Sequence, residues 1–131
     1  NYKKRLLRKH GKQGGRGMYR IGKSFKFDAA HKLVDPYEGK CACVHGHTWR
    51  VDIVVHGETL NPCGMVADFT DLAPIKAYID EKFDHAMVND TIEQPTCENI
   101  ARHLYDYAGT LFRVESVRVW ESQTSWAEYA G

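Results

Sequence analysis

The ten residues from Lys40 to Trp49, KCACVHGHTW, contain two thiols and two imidazoles. His45 and His47 are two positions apart, and in a β-strand side chains at that spacing leave the same face roughly 7 Å apart at the backbone. Two imidazoles at that distance can bind one ion. The spacing therefore predicts a metal site, although a single histidine on an apolar face is usually a hydrogen-bonded core residue.

A third imidazole has the same strand phase. The segment from Tyr19 to His31 alternates mostly apolar odd positions with polar even ones, which predicts a strand with one buried face that includes His31. A second strand is predicted from His45 to about Gly57. If the two strands pair, His31, His45 and His47 converge, and three histidines without a fourth protein ligand are the ligand set of a catalytic zinc.

The two cysteines of this segment do not fit a structural zinc site made with the neighbouring histidines. The row from Cys41 to His47 would span about 20 Å as an extended strand, which is too long to surround one ion. One thiol could instead be a reactive group beside the metal, whose positive charge favours the thiolate. The residues alone do not say whether Cys41 or Cys43 has this role.

Further polar residues could take part in chemistry. The carboxylate of Asp84 could orient His85 as a proton shuttle, or His85 could simply lie at a helix C-terminus. Glu121 shares the phase of buried strand residues, and an inward carboxylate could accept two parallel N–H donors of a ligand, as it would from an arginine. Thr96 and Glu98 begin a predicted helix, where capping explains them better than ligand contact.

The rest of the pattern predicts the elements that position these side chains. A helix is predicted over 68–83, with Pro74 in its first turn, a second follows Thr96, and two further strands begin at Val114 and Trp126. This order, ββααββ, indicates an α+β domain in which a four-stranded antiparallel sheet carries both helices on one face. The strand edges and exposed apolar residues of so small a sheet favour oligomerisation.

Composition restricts the class of protein. The chain has 131 residues, 43% hydrophobic and 27% charged, which suits one domain, and no apolar run approaches the ~20 residues of a membrane span. No secretory signal is recognised, which predicts a cytoplasmic protein with free cysteines. Residues 1–17 hold seven basic and no acidic side chains. They are predicted to be a flexible extension of a single domain at 18–131, although such an arm could contact nucleic acid.

Six motifs together resemble the 6-pyruvoyl-tetrahydropterin synthase superfamily. They are F-x-F-D-A-A-H at 25–31, K-C-x-x-x-H-G-H at 40–47, G-M-V-x-D-F at 64–69, D-H at 84–85, P-T-x-E-N at 95–99 and the glutamate at 121. The resemblance covers the chain from about Met18 to its end. Within the superfamily, the chain resembles the bacterial 6-carboxytetrahydropterin synthases in one respect: a cysteine stands four residues before the first histidine of His-Gly-His.

The resemblance implies a fold and a metal. The fold is the T-fold, whose subunits pair their sheets into a barrel, commonly as a homohexamer with active sites at subunit interfaces. The resemblance also implies that the zinc ion, Zn2+, is bound by His31, His45 and His47. Cys41 matches the catalytic thiol of the family.

The resemblance assigns roles to the remaining candidate residues as well. Asp84 and His85 match the residues that transfer protons with the thiol. Glu121 matches the residue that holds the amino-pyrimidinone edge of the pterin. Thr96 and Glu98 fall in the segment that contacts the pterin.

The implied reaction converts 7,8-dihydroneopterin triphosphate and water into 6-carboxy-5,6,7,8-tetrahydropterin, acetaldehyde and triphosphate. It is a carbon–carbon lyase step of 7-deazapurine biosynthesis of the queuosine type. The redox change is internal to the substrate, which agrees with the lack of a Gly-rich dinucleotide motif in the sequence. The expected partners are this pterin triphosphate and further copies of the chain, and neither a membrane nor a nucleic acid is expected.

Two alternative functions stay open. One is a sister enzyme that only eliminates triphosphate and yields 6-pyruvoyl-tetrahydropterin. The other is a non-catalytic binding module, stabilised by zinc, whose basic arm binds nucleic acid.

Overall fold

A computed structural model describes residues 17–131, so the predicted basic extension lies almost wholly outside the described residues. The strands are β1 (Tyr19–His31), β2 (His45–Gly57), β3 (Ala86–Met87), β4 (Val114–Trp120) and β5 (Trp126–Ala130). The helices are α1 (Ala73–Lys82) and α2 (Cys97–Gly109), with 3-10 helices at Lys40–Ala42, Phe69–Leu72 and Val88–Asp90. Within the described residues, no helix is long and apolar enough to cross a membrane.

One sheet contains all five strands in the order β3-β1-β2-β4-β5. β1 and β2 pair antiparallel over all 13 residues of each strand, and β4 and β5 continue the antiparallel sheet beyond β2. The predicted α+β class and the four long strands are confirmed. The structure adds β3, which runs parallel to β1 at Ala29 and Ala30. A two-residue strand is too short to show an alternating pattern, so the sequence gives no sign of it.

The predicted helix over 68–83 begins as a 3-10 turn. Asp68 accepts a hydrogen bond from the Thr70 N–H, while the Asp71 carboxylate accepts one from the Asp68 N–H. This reciprocal capping satisfies N–H groups that a helix start leaves without partners. The regular α-helix then starts at Ala73, directly before Pro74, whose missing N–H is tolerated in a first turn.

The hydrophobic core lies between one face of the sheet and the helices. Trp49 is fully buried, stacks on Phe27, and donates its indole N–H to the Ala29 carbonyl at 3.2 Å. The same core includes further buried side chains from the strands and both helices, namely Phe25, Val51, Ile53, Val55, Ile75, Ile79, Phe83, Ile100 and Leu104. Because this packing fixes which face of β1 and β2 is inside, it also directs the odd-numbered histidines inward.

Thr96 contributes to stability as the N-cap of α2. Its hydroxyl accepts a hydrogen bond from the Asn99 N–H at 3.1 Å. We expect Thr96→Ala to lower the free energy of unfolding by about 1 kcal/mol, the usual effect of losing a cap, because that N–H loses its partner. Thr96→Ser keeps an acceptor and should stay close to the wild type in urea unfolding. Equal stability of the two variants would contradict the capping role.

Candidate active site

The register of β1 and β2 brings the three predicted histidines together. His31 lies opposite His45, and Ala29 lies opposite His47. The ring centroids of His31 and His45 are 4.5 Å apart, those of His31 and His47 are 5.3 Å apart, and those of His45 and His47 are 4.9 Å apart. Only 1% of the His31 side chain is exposed. The three imidazoles therefore form one compact group at the end of the core.

Two backbone carbonyls orient two of these rings. His31 Nδ1 is 2.8 Å from the Pro95 oxygen, and His45 Nδ1 is 2.7 Å from the Cys43 oxygen. Because a carbonyl can only accept, each Nδ1 carries the proton and each Nε2 keeps its lone pair in the neutral ring. The Nε2 atoms of all three histidines, the third being His47, are buried and make no hydrogen bond. Histidines that bind metals commonly have this arrangement.

Glu121 faces the same group from the end of β4. Its Oε1 lies 3.3 Å from the Nε2 atoms of both His31 and His47. A carboxylate oxygen and an unprotonated ring nitrogen are both acceptors, so their proximity is unfavourable unless a proton or a cation lies between them. The possible ligand atoms of Glu121 and the three histidines lie within 4.8 Å of one another. These residues fit a metal ion, and three imidazoles suit zinc.

The electrostatics of the group favour the neutral form of His31 and His47. Burial lowers the pKa of His31 from the usual 6.5, and the nearby His45 lowers it further against the opposing effects of the Pro95 carbonyl and Glu121. Burial also lowers the pKa of His47, although Glu121 opposes the shift. Neutral histidine is the form that binds a metal, so the lowered pKa values of His31 and His47 favour metal binding at neutral pH.

The two cysteines of the KCACVHGHTW segment lie outside this group of possible ligands. Cys41 is half-buried in the 3-10 helix that precedes β2, and its carbonyl accepts a hydrogen bond from the Leu33 N–H at 2.8 Å. Cys43 is exposed and contributes only its carbonyl, which orients His45. The two thiols thus occupy different environments.

The other two cysteines, like these, are free thiols. Cys63 is exposed in the turn where the Asn61 side chain accepts the Cys63 N–H. Cys97 begins α2 near Glu121, and burial raises the pKa of its thiol to about 12, with the Glu121 charge adding to the rise. Cys97 is therefore protonated at neutral pH and does not provide a thiolate.

Asp84 and His85 form a second polar group together with Asp28. Asp84 Oδ2 is 2.9 Å from His85 Nδ1, and its Oδ1 accepts the Asp28 N–H at 3.0 Å. That N–H, followed by His85, lowers the pKa of the Asp84 carboxyl. The arrangement agrees with the predicted orientation of His85 by Asp84. Within one chain, however, the two polar groups do not form a single site, because the possible ligand atoms of this group are separate from those around His31.

His85 is held in an uncommon backbone conformation. Its φ is 55°, in the left-handed region, and its N–H donates to the Asp28 carbonyl at 2.6 Å. The His85 side chain is 80% exposed. Together with His47 and Thr48, it lines a shallow depression at the sheet surface. A strained and exposed histidine of this kind is a candidate for function.

Thr96 and Glu98 do not enter the histidine group. Thr96 caps α2, as predicted, and Glu98 is exposed in the first turn. Their segment nevertheless adjoins the site, because the preceding Pro95 carbonyl orients His31. Pro95 and Asp28 belong to two of the motifs, but they contact His31, Asp84 and His85 through backbone groups whose positions depend on the folded chain.

Comparison with known proteins identifies the family. Residues 20–131 match the family profile described as 6-pyruvoyl tetrahydropterin synthase. The chain belongs to the 6-pyruvoyl tetrahydropterin synthase family. The resemblance derived from the six motifs, and with it the prediction of an enzyme of this family, is confirmed.

Two relatives align with most of this family member. It is 41% identical over 109 residues to an Archaeoglobus fulgidus protein provisionally named 6-carboxy-5,6,7,8-tetrahydropterin synthase, with 82% of this chain and 92% of that one covered. It is 31% identical over 140 residues to the Haemophilus influenzae 6-carboxy-5,6,7,8-tetrahydropterin synthase, with 86% and 99% covered.

The fold of this family member is also found in solved structures. The Caenorhabditis elegans 6-pyruvoyl tetrahydropterin synthase superposes with a TM-score of 0.77 at 22% identity, covering 88% of this chain and 97% of that one. The predicted T-fold is thereby confirmed.

Metal binding by this family member can be tested directly. We expect chelator-treated protein to bind one zinc per chain and to melt at a higher temperature when loaded, because a ligand that binds only the folded state stabilises it. His31→Ala should lose the zinc. His85→Ala changes a histidine of the second group and should keep it. Elemental analysis measures the zinc content of both variants. Since burial lowers the pKa of His31 and His47 below 6.5, zinc should stay bound at pH 6.5 and be displaced by protons only at lower pH.

The role of Glu121 needs a variant in the same experiment. Glu121→Gln should retain the zinc, because three imidazoles are sufficient ligands for a site that keeps an open position. Zinc retained in full by His31→Ala would contradict the metal site. Zinc lost from Glu121→Gln would make Glu121 a fourth ligand.

Proposed function

We propose that this chain is a zinc-dependent 6-carboxytetrahydropterin synthase, which converts 7,8-dihydroneopterin triphosphate and water into 6-carboxy-5,6,7,8-tetrahydropterin, acetaldehyde and triphosphate. The observation that carries the proposal is the buried group of three unpaired Nε2 atoms beside Glu121, with Cys41 four residues before its histidine pair. The names of the Archaeoglobus and Haemophilus relatives support the carboxy product. The product would serve queuosine-type 7-deazapurine biosynthesis in the cytoplasm.

The three histidines would hold Zn2+ through their Nε2 atoms. When bound, zinc would supply Lewis acidity to the side-chain oxygens of the pterin and acidify the neighbouring C–H and O–H groups. The Pro95 and Cys43 carbonyls keep two of the rings turned so that Nε2 faces the centre of the group. His31, with 1% of its side chain exposed, excludes water from the inner side.

Glu121 would bind the substrate beside the metal. The amino-pyrimidinone edge of a pterin presents two parallel N–H donors, as a guanidinium does, and a carboxylate accepts such a pair with both oxygens. The Glu121 side chain is 33% exposed, so a ligand can reach it. The start of α2, with Thr96 and Glu98, would add contacts next to the same edge. This arrangement would place the pterin side chain toward the three histidines.

Proton transfer would use Cys41 and the Asp84–His85 pair. Cys41, as thiolate, would remove a proton from one face of the substrate, and His85 would exchange a proton on the opposite face. Asp84, whose pKa is lowered by the Asp28 N–H and by His85, stays ionised at neutral pH and accepts the Nδ1–H of His85. His85 Nε2 is then the atom that exchanges the proton.

The exposure of His85 supports an active site built from residues of two neighbouring subunits. Its side chain is 80% exposed, and its group is separate from the histidine group of the same chain. We therefore place it against the zinc site of an adjacent copy in a homo-oligomer, a homohexamer by resemblance to the family. Each active site would then combine Cys41 of one subunit with Asp84 and His85 of another.

The product distinguishes this reaction from that of the sister enzyme. Incubation of the zinc-loaded protein with 7,8-dihydroneopterin triphosphate should release acetaldehyde and triphosphate in equal amounts, because the carbon–carbon bond of the side chain is cleaved. Coupled reduction of acetaldehyde and chromatography of the pterins measure both products. Triphosphate release with a pyruvoyl pterin and no acetaldehyde would assign 6-pyruvoyl-tetrahydropterin synthase activity instead.

The shared site predicts complementation between inactive chains. Cys41→Ala and His85→Ala should each reduce turnover to background while retaining zinc, because neither side chain is a metal ligand. When the two chains are co-expressed, about a quarter of the sites in random mixed oligomers should contain both functional groups, so activity should return. Co-expression of Cys41→Ala with an Asp84→Ala chain is a second complementing pair, and His85→Ala with Asp84→Ala is the matched control that should stay inactive. Activity retained by Cys41→Ala alone would remove the thiol from the mechanism.

A further inference from the structure

Two side-chain amides bind the backbone of the segment that directly follows β1. Asn89 Oδ1 accepts the Lys32 N–H at 2.9 Å, and Asn89 Nδ2 donates to the Lys32 carbonyl at 2.9 Å. Gln94 Oε1 accepts the Val34 N–H at 2.7 Å, and Gln94 Nε2 donates to the Val34 carbonyl at 2.9 Å. Each amide makes the pair of hydrogen bonds that one residue of an antiparallel strand makes with its neighbour. We call these two side chains, Asn89 and Gln94, the amide clamp.

The amide clamp continues the pairing of β1 beyond the end of the strand. β3 pairs with β1 near that end, and both clamp residues follow β3 in the chain. The clamp binds alternate residues, and the residue between them, Leu33, uses its backbone in a different contact. The Leu33 N–H donates to the Cys41 carbonyl at 2.8 Å. The clamp therefore holds the short segment to which the loop carrying Cys41 is attached.

The amide clamp is also joined to the histidine group. Gln94 directly precedes Pro95, whose carbonyl oxygen is 2.8 Å from His31 Nδ1. The Gln94 carbonyl in turn accepts a hydrogen bond from Asn99 Nδ2 at 2.9 Å, which ties it to the first turn of α2. The same stretch of chain thus orients a predicted zinc ligand and holds the segment that contacts Cys41.

We propose that Asn89 and Gln94 are positioning residues for Cys41, which set the place of its thiol relative to the histidine group through the backbone of residues 32–34. The inference rests on the proposed role of Cys41 in proton transfer. Cys41 lies in a 3-10 helix of three residues, Lys40–Ala42, and so short a helix has too few internal hydrogen bonds to fix its own position. A group that removes a proton must stay within roughly 3 Å of it, so a displaced loop would slow the reaction.

The test removes the polar groups of one amide and keeps the length of the side chain. In Gln94→Met we expect the backbone N–H groups of Leu33 and Val34 to exchange with deuterium about tenfold faster, because the segment opens more often. Peptide-resolved mass spectrometry measures this exchange. The kcat should fall roughly ten- to a hundredfold, since a misplacement of about 1 Å can have such a cost. Zinc content should stay at the wild-type value.

Mixed oligomers show whether the loss of activity acts through Cys41. The His85→Ala chain supplies Cys41 to the complemented site, so adding Gln94→Met to that chain should leave about a tenth or less of the complemented activity. Adding Gln94→Met to the Cys41→Ala chain instead should leave that activity unchanged, because this chain supplies only the Asp84–His85 pair. An equal loss in both arrangements would indicate general destabilisation and overturn the proposal.

Two further variants control the experiment. Asn89→Leu removes the other half of the amide clamp and should change exchange and activity in the same direction, so it carries the test if Gln94→Met does not fold. Asn61→Ala is the matched control, because the Asn61 side chain accepts the Cys63 and Met65 N–H groups in a turn after β2. It should leave the exchange of residues 32–34 and the complemented activity unchanged.

Unchanged exchange of residues 32–34 in both clamp variants would overturn the proposal. The exchange measurement needs no pterin. A wild-type protein that forms no acetaldehyde would therefore refute the proposed reaction, while the exchange data would still decide whether the amide clamp holds the segment.

Discussion

The pairing register of β1 and β2 is the constraint on which the candidate site depends. Thirteen consecutive residue pairs set His31 opposite His45. Side chains alternate between the two faces of a sheet, so a shift of one residue would turn the histidines of the slipped strand away from their partners. The buried residues of the same strands, Trp49 among them, prevent that shift because they would have to leave the core at the same time. The apolar core and the polar site are thus specified by one pattern.

The histidine group brings several hydrogen-bond acceptors close together. The carbonyls of Pro95 and Cys43 take up the Nδ1 protons of two rings, which leaves Nε2 lone pairs directed at one another and at the Glu121 carboxylate. Protonation of the rings would relieve the repulsion between these acceptors, but burial disfavours it because burial lowers the pKa of His31 and His47. A group of acceptors that is inward-facing and poorly protonated is costly when empty and favourable around a cation. A bound metal would therefore stabilise the folded structure as well as take part in the chemistry.

The parts of this arrangement that follow strand periodicity could be predicted from the sequence, whereas the parts that depend on loops could not. The phases of His31, His47 and Glu121 relative to buried neighbours indicate that they point inward, and the structure places them together. No pattern indicates that Pro95, 64 residues from His31 in sequence, supplies the carbonyl that orients it.

The Asp84–His85 pair adds a constraint of a different kind, because it holds an exposed side chain in a fixed position at the sheet surface. His85 has a left-handed backbone, fixed by its N–H to the Asp28 carbonyl, and this fixes the direction of an almost fully exposed imidazole. Residues held in such sparsely populated backbone conformations cluster at functional sites. β3, which directly follows the pair, is also an edge strand of the sheet, and edges are where a further copy can associate. In the proposed mechanism, assembly is then a condition for catalysis, because the proton donor on one side of the substrate and the thiolate on the other belong to different subunits.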